Sequence, residues 1–191
     1  GTESYGYTQK GNDGIKTIAN WGAEDSCAQS YIDDDNFKHS MIAIGLSLVG
    51  HEKKVAIGIH DHLIKELGDW IKGIERPVFL RIGYEFDGWD WNDYNKDAYL
   101  ASWKRIHSKF EEMKVKNVAF VWQSKGTESG QEILEQWYPG DHLVDWCGYS
   151  YFNNPDEEML AFARKHKKPV FIAEASPILF DGPEFLDTFL T

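Results

Sequence analysis

Two glutamates stand where chemistry could gather. Glu85 follows the run Pro77-Val78-Phe79-Leu80-Arg81-Ile82-Gly83-Tyr84, and Glu174 follows Pro169-Val170-Phe171-Ile172-Ala173. Each run is short, apolar and introduced by proline, which reads as a buried strand. In parallel α/β folds functional groups collect at the carboxyl ends of strands, so both glutamates fall where a cleft would form. A pair of carboxyl groups flanking one cleft, one protonated and one ionised, is what glycoside hydrolysis needs. The competing reading of either residue is a structural ion pair with a neighbouring cation such as Arg81. Aromatic rings stand at the intervening strand ends, Trp122 on one and Tyr151 on another, and Trp89, Trp91 and Tyr94 follow Glu85 directly. Such rings either fill a core or form platforms on which the apolar face of a pyranose stacks. Asp87 and Asp90 could receive sugar hydroxyls, but read better as solvated loop acids.

Strands must carry these residues, and the chain supplies them in alternation with helices. Apolar runs at 16–21, 78–83, 117–122, 143–149 and 169–173 predict strands, while 41–49 fits a strand or a helix segment. Helical spacing predicts helices over 62–72 with Asp61 as N-cap, 97–114, 131–137 and 155–165. This order implies βαβ units, a single domain over residues 1–191, and a parallel sheet buried on both faces. Doubly wound and barrel architectures both satisfy it. Neither G-x-G-x-x-G nor G-x-x-x-x-G-K-[ST] follows any strand, so the usual nucleotide-binding sites lose support.

Composition narrows the partners. There are 20 Lys plus Arg against 31 Asp plus Glu, a formal net charge of −11, which opposes nucleic-acid binding. The longest apolar run, Met41 to Val49, is too short to span a bilayer, so no membrane partner is expected. No signal-peptide pattern opens the chain. Aromatic residues are abundant, with 8 Trp, 9 Tyr and 11 Phe. Cys27 and Cys147 match no metal spacing; two residues alone leave a disulfide open, and they read better as two free thiols. His60-Asp61-His62 has the form that opens some metal-dependent barrels, but the later strand ends offer Tyr84, Trp122 and Tyr151 rather than further histidines. A helix start explains it better. Asp33-Asp34-Asp35 lacks the glycine and terminal glutamate of a calcium loop and reads as a solvated charge run. No metal and no cofactor are expected.

The strand ends carry a resemblance. Pro77 to Gly88, Val121-Trp122, Trp137-Tyr138-Pro139-Gly140-Asp141, Val144-Asp145-Trp146-Cys147-Gly148 and Lys168 to Glu174 are similar to glycoside hydrolase family 26. That family has a (β/α)8 TIM-barrel fold and is best known for β-mannanases. The resemblance implies a retaining, endo-acting β-glycoside hydrolase on a polysaccharide such as β-mannan, secreted to the extracellular space. In it Glu85 would be the acid/base and Glu174 the nucleophile, acting through a covalent glycosyl-enzyme intermediate. Tyr151 matches an aromatic that contacts the nucleophile, and Trp122 matches a sugar-stacking ring. Arg81, Tyr84, Trp89 and Trp91 complete the expected substrate-binding set. Family mannanases commonly place His immediately before the acid/base, where this chain has Tyr84. The alternative of another class is a non-catalytic carbohydrate-binding or scaffold remnant of the same fold.

Length then bears on the barrel. A complete (β/α)8 barrel takes roughly 250 residues, and this chain has 191. Against the family pattern, 78–83 is the fourth strand and 169–173 the seventh, with 16–21 and 41–49 as second and third. The first and eighth strands are then missing. The expectation is about six of eight units, in a fragment of a longer enzyme or in a chain that needs a partner to close.

Overall fold

The computed structural model describes residues 11–20, 25–126, 129–152 and 156–176. Trp21 and Pro155, predicted above as a strand end and a helix start, lie outside them, as does the stretch 177–191. In chain order the elements are β1 (Ala19–Asn20), β2 (Asp25–Ser26), α1 (Ala28–Asp33), β3 (Ile42–Leu46), α2 (Glu52–Ala56), α3 (Asp61–Ile74) and β4 (Val78–Ile82). There follow α4 (Lys96–Glu112), β5 (Val118–Ser124), α5 (Gln131–Trp137), β6 (Trp146–Tyr151), α6 (Glu157–His166) and β7 (Val170–Ala175). Strands β3 to β7 form one parallel sheet in sequence order, curled into an incomplete (β/α)8 barrel with helices outside.

Among the described residues, 16–20 do not form the second barrel strand expected at 16–21. Instead β1 pairs antiparallel with β2, Ala19 opposite Ser26 and Asn20 opposite Asp25. The surrounding run is rich in Gly, Asn, Asp, Ser and Thr, which favour turns over long ladders. The described residues therefore hold five barrel strands rather than six. The ambiguous run at 41–49 resolves as β3, where Ile42, Ile44 and Leu46 alternate with Ala43 and Gly45.

The central strands β5 and β6 are buried on both faces over most of their length, as expected of a parallel sheet, whereas burial on β3 and β4 follows a period of two. On β4, Val78, Leu80 and Ile82 are buried under the helices, while Phe79 and Arg81 on the inner face are half-buried. Inside the curl, Phe79 stacks on Phe171 at 4.9 Å and meets Trp146 edge-on at 5.5 Å, so three strands share one aromatic floor. The outer layer is held by α3 and α4. Ile64, Leu67 and Ile71 of α3 and Tyr99, Trp103, Ile106 and Phe110 of α4 supply its apolar stripe. Asn95 caps α4, its side chain accepting from the Ala98 N–H at 3.0 Å. The Trp103 indole N–H donates to the Ile82 carbonyl at 3.1 Å, tying α4 to the end of β4. Helix α2, not foreseen from sequence, packs on α4, where Ser102 donates to the Glu52 carbonyl at 2.7 Å.

Candidate active site

The chain leaves β4 through a strained turn. Gly83 and Glu85 both lie in the left-handed region, at φ +53° and +51°. At Gly83 a Cβ would come within 2.5 Å of the Tyr99 ring, so glycine is required there twice over. Glu85 has no such freedom, and a non-glycine residue held at positive φ costs on the order of 1–3 kcal/mol, a strain characteristic of functional sites. Asn92 holds the turn by donating its side-chain amide to the carbonyls of Tyr84 at 3.1 Å and Glu85 at 2.8 Å. Phe86, fully buried, anchors it from below by stacking on Trp122 at 4.6 Å and Trp137 at 5.7 Å.

A β-bulge aims the second glutamate. Along β6 and β7, Gly148 pairs with Phe171 and Tyr149 with Ile172, but Ser150 pairs with Glu174, leaving Ala173 as the extra residue. Strand side chains alternate, so with Phe171 facing the inner floor Glu174 would point outward in regular pairing. The inserted residue turns it back to the inner face, a recurring use of bulges beside functional sites. There the Arg81 guanidinium pairs with Glu174 Oε1 at 2.5 Å. Gly45 on β3 leaves the room for this cation: a Cβ would sit 3.1 Å from Arg81 Nη2 and 2.9 Å from the Tyr84 ring.

One chain of hydrogen bonds joins the two glutamates. Arg81 Nη1 also donates to Gln123 Oε1 at 3.0 Å, Gln123 Nε2 donates to Ser150 Oγ at 2.9 Å, and Ser150 donates to Glu85 Oε1 at 2.7 Å. The other Glu85 oxygen, Oε2, accepts from the Trp91 indole N–H at 2.9 Å. Burial raises the Glu85 carboxyl above its ordinary value, and repulsion from Glu174 and Asp87 adds to this, against the opposing pull of the Ser150 and Trp91 bonds. Glu174 lies against a guanidinium instead. Two carboxyl groups whose surroundings differ in this way can divide the roles of proton donor and ionised partner.

The predicted residues divide in two. Arg81, Tyr84, Glu85, Trp91 and Glu174 meet at this site, with Arg81 lying over the Tyr84 ring at 5.2 Å. Trp89 is nearby and 44% exposed, tilted against Trp137. Trp122 and Tyr151 are not in the cleft. Trp122 is fully buried among Phe86, Tyr138 and Phe162 on the helix-facing side. Tyr151 is buried beside Tyr149 on the face opposite Ser150. Their strand neighbours Gln123 and Ser150, which the sequence reading missed, face the cleft in their place. Tyr94 likewise serves the core, its hydroxyl accepting from the Leu48 N–H. Asp87 is fully buried, not solvated; it accepts from Ser129 Oγ and from the Lys125 N–H, pinning the loop after β5.

The other sequence features have structural roles. His60, not Asp61, occupies the N-cap position of α3. Asp61 sits in the first turn, where two contacts of 2.6 Å from Arg105 hold its carboxyl below the usual range. His51 and His60 face each other at 3.3 Å, and among the described residues no three His, Cys, Asp or Glu side chains are grouped to hold a metal ion. Asp34 caps a short 3-10 turn by accepting from the Asn36 N–H. Cys27 and Cys147 are buried and unbridged.

Comparison with known proteins gives a consistent result. The model of glycosyl hydrolase family 26 matches residues 21–186. The chain is 35% identical over 179 residues to a Vibrio protein named beta-1,3-xylanase TXYA, covering 86% of this chain and 37% of that protein. It is 37% identical over 152 residues to an Alcaligenes protein named beta-1,3-xylanase, covering 72% of this chain and 31% of that one. The chain thus spans about a third of the length of these curated relatives. Among solved structures, a Bacteroides ovatus family 26 β-mannanase superposes with a TM-score of 0.60 at 19% identity, over 78% of this chain and 55% of the other. The Bacillus subtilis YdhT protein superposes with a TM-score of 0.58 at 18% identity, over 74% of this chain and 49% of the other. These superpositions establish the barrel.

Proposed function

This chain belongs to glycosyl hydrolase family 26, and on that premise we propose that it carries the catalytic pair of a retaining, endo-acting β-glycoside hydrolase, with Glu85 as acid/base and Glu174 as nucleophile. The observation that carries the reading is the contrast between the two carboxyl groups. Glu85 is 8% exposed and favours its proton through burial, while Glu174 lies against the Arg81 guanidinium. In the first step Glu174 attacks the anomeric carbon as Glu85 protonates the departing glycosidic oxygen. In the second, Glu85 takes a proton from the water that hydrolyses the glycosyl-enzyme ester, and Glu174 is released. Trp89 and Trp91, both part-exposed beside Glu85, are the rings available to a sugar face.

Of the candidate polymers, β-1,3-xylan comes first and β-mannan second. The relatives of substantial identity are named for the former, and Tyr84 stands where family mannanases commonly have His. A polymeric glycan is met outside the cell, so the same reading makes the protein extracellular. The test is reducing-end release from β-1,3-xylan, β-mannan, glucomannan and mixed-linkage glucan by the wild type, Glu85→Gln and Glu174→Gln. Hydrolysis of at least one polymer is expected, highest on β-1,3-xylan, with turnover falling at least about a thousand-fold in either variant, in line with the loss of a nucleophile or its proton donor. Binding without turnover, unchanged in both variants, would instead establish the non-catalytic remnant.

A further inference from the structure

The direction of every bond between the two glutamates is fixed by one residue. A guanidinium only donates, so the Gln123 oxygen must face Arg81 and the Gln123 NH2 must face Ser150. The Ser150 oxygen therefore accepts from Gln123, and its single hydrogen is directed to Glu85 Oε1. An indole N–H also only donates, so ionised Glu85 has a donor on each oxygen. Protonation turns one of these oxygens into a hydroxyl, a much weaker acceptor, so one of the two bonds must weaken. Ser150 is 1% exposed, in the middle of the sheet and held by Gln123, whereas Trp91 is 38% exposed on a loop. The contact that can yield is the Trp91 one.

We propose that Ser150, oriented by Gln123 and through it by Arg81, is a positioning residue that reserves Glu85 Oε2 for the transferable proton, and that the Trp91 indole leaves Oε2 whenever Glu85 is protonated. This rests on Glu85 being the acid/base. During turnover the Oε2 proton passes to the leaving glycosidic oxygen, leaving a carboxylate that the Trp91 N–H again covers. The proton from the attacking water returns to Oε2 in the second step and displaces the indole once more. The charged groups around Glu85 are Glu174 from β7 and Asp87 from its own loop, with Arg81 of β4 beyond Glu174 and Lys125, after β5, over the Trp91 ring at 5.9 Å.

The test is an NMR titration of the full chain without substrate, following the glutamate carboxyl carbons and the indole N–H resonances. The Glu85 signal is identified by its loss in Glu85→Gln and the Trp91 signal by its loss in Trp91→Phe. In the wild type the Trp91 indole resonance is expected to shift with the same midpoint as the Glu85 carboxyl. Ser150→Ala removes a donor to the ionised form and raises that midpoint by about one to two pH units, the size set by a hydrogen bond to a charged group. Ser150→Thr restores it. Gln123→Met, which keeps the Ser150 hydroxyl but frees its orientation, raises the midpoint by less and serves if Ser150→Ala does not fold. An indole signal that stays still while Glu85 titrates, or a midpoint unmoved by both substitutions, overturns the proposal. A wild type that hydrolyses no glycan while these shifts appear would remove the proposed function and leave the hydrogen-bond relay standing.

Discussion

Glu85 concentrates the conflict between stability and chemistry in one side chain. It is buried, backed by two other acids and placed at positive φ. Its folded-state pKa lies above the unfolded value, so between the two the folded chain holds more protons, and stability falls as pH rises through that window. Glu85→Gln removes the buried charge while keeping shape and acceptor oxygen. The variant is expected to melt at a higher temperature than wild type at neutral pH, with the gap closing below about pH 4, where Glu85 is protonated in both states. Thermal denaturation across that pH range checks it. A gap that persists or widens at low pH would mean that changed side-chain hydrogen bonding, not the lost charge, is the source of the gain. The proposed chemistry requires this cost, because a desolvated carboxyl holds its proton to higher pH than an exposed one.

Elements decide which residues reach that chemistry, and here four barrel strands are legible in the sequence, with bounds up to three residues from those observed. The runs at 78–83, 117–122, 143–149 and 169–173 are each realised as a strand, and both glutamates emerge at their ends, because bounded apolar runs report strands well. What a run does not report is which of two adjacent residues faces inward, since strand side chains alternate. Trp122 and Tyr151 were therefore placed in the cleft when their neighbours Gln123 and Ser150 occupy it. The useful signal was polarity: a glutamine and a serine inside otherwise apolar strands. Glu174 would have been lost to the same alternation but for the bulge at Ala173, which sequence spacing does not announce. The Trp122 assignment has a direct check. Trp122→Ala opens a cavity among Phe86, Tyr138 and Phe162 and is expected to cost about 3–5 kcal/mol of stability, measured by denaturant unfolding. A ring that held sugar would instead leave stability near wild type and raise KM.

At the scale of the whole molecule, the two proposed catalytic groups stand on unequal supports. In the sheet order β3-β4-β5-β6-β7, the inner strands have neighbours on both sides, while β3 and β7 have one each among the described residues. Glu85, Gln123 and Ser150 all hang from β4, β5 and β6, so the acid and its relay sit on the most supported part of the sheet. Glu174 sits on β7, whose Ile172 is 42% exposed, and the Arg81 pair reaches it from β4 across the two intervening strands. Local opening starts where backbone hydrogen bonds are most exposed and apolar contacts fewest. Hydrogen exchange is therefore expected to be slowest in β4 to β6 and measurably faster in β7, and Glu174→Gln should quicken β7 further while leaving β5 unchanged. Equal protection across all five strands would show that the sheet opens only as one unit. With the expected gradient, gentle warming or dilute denaturant would release the nucleophile strand before the sheet unfolds. Activity would then be lost while the Glu85 titration persisted, because the acid's own support does not pass through β7.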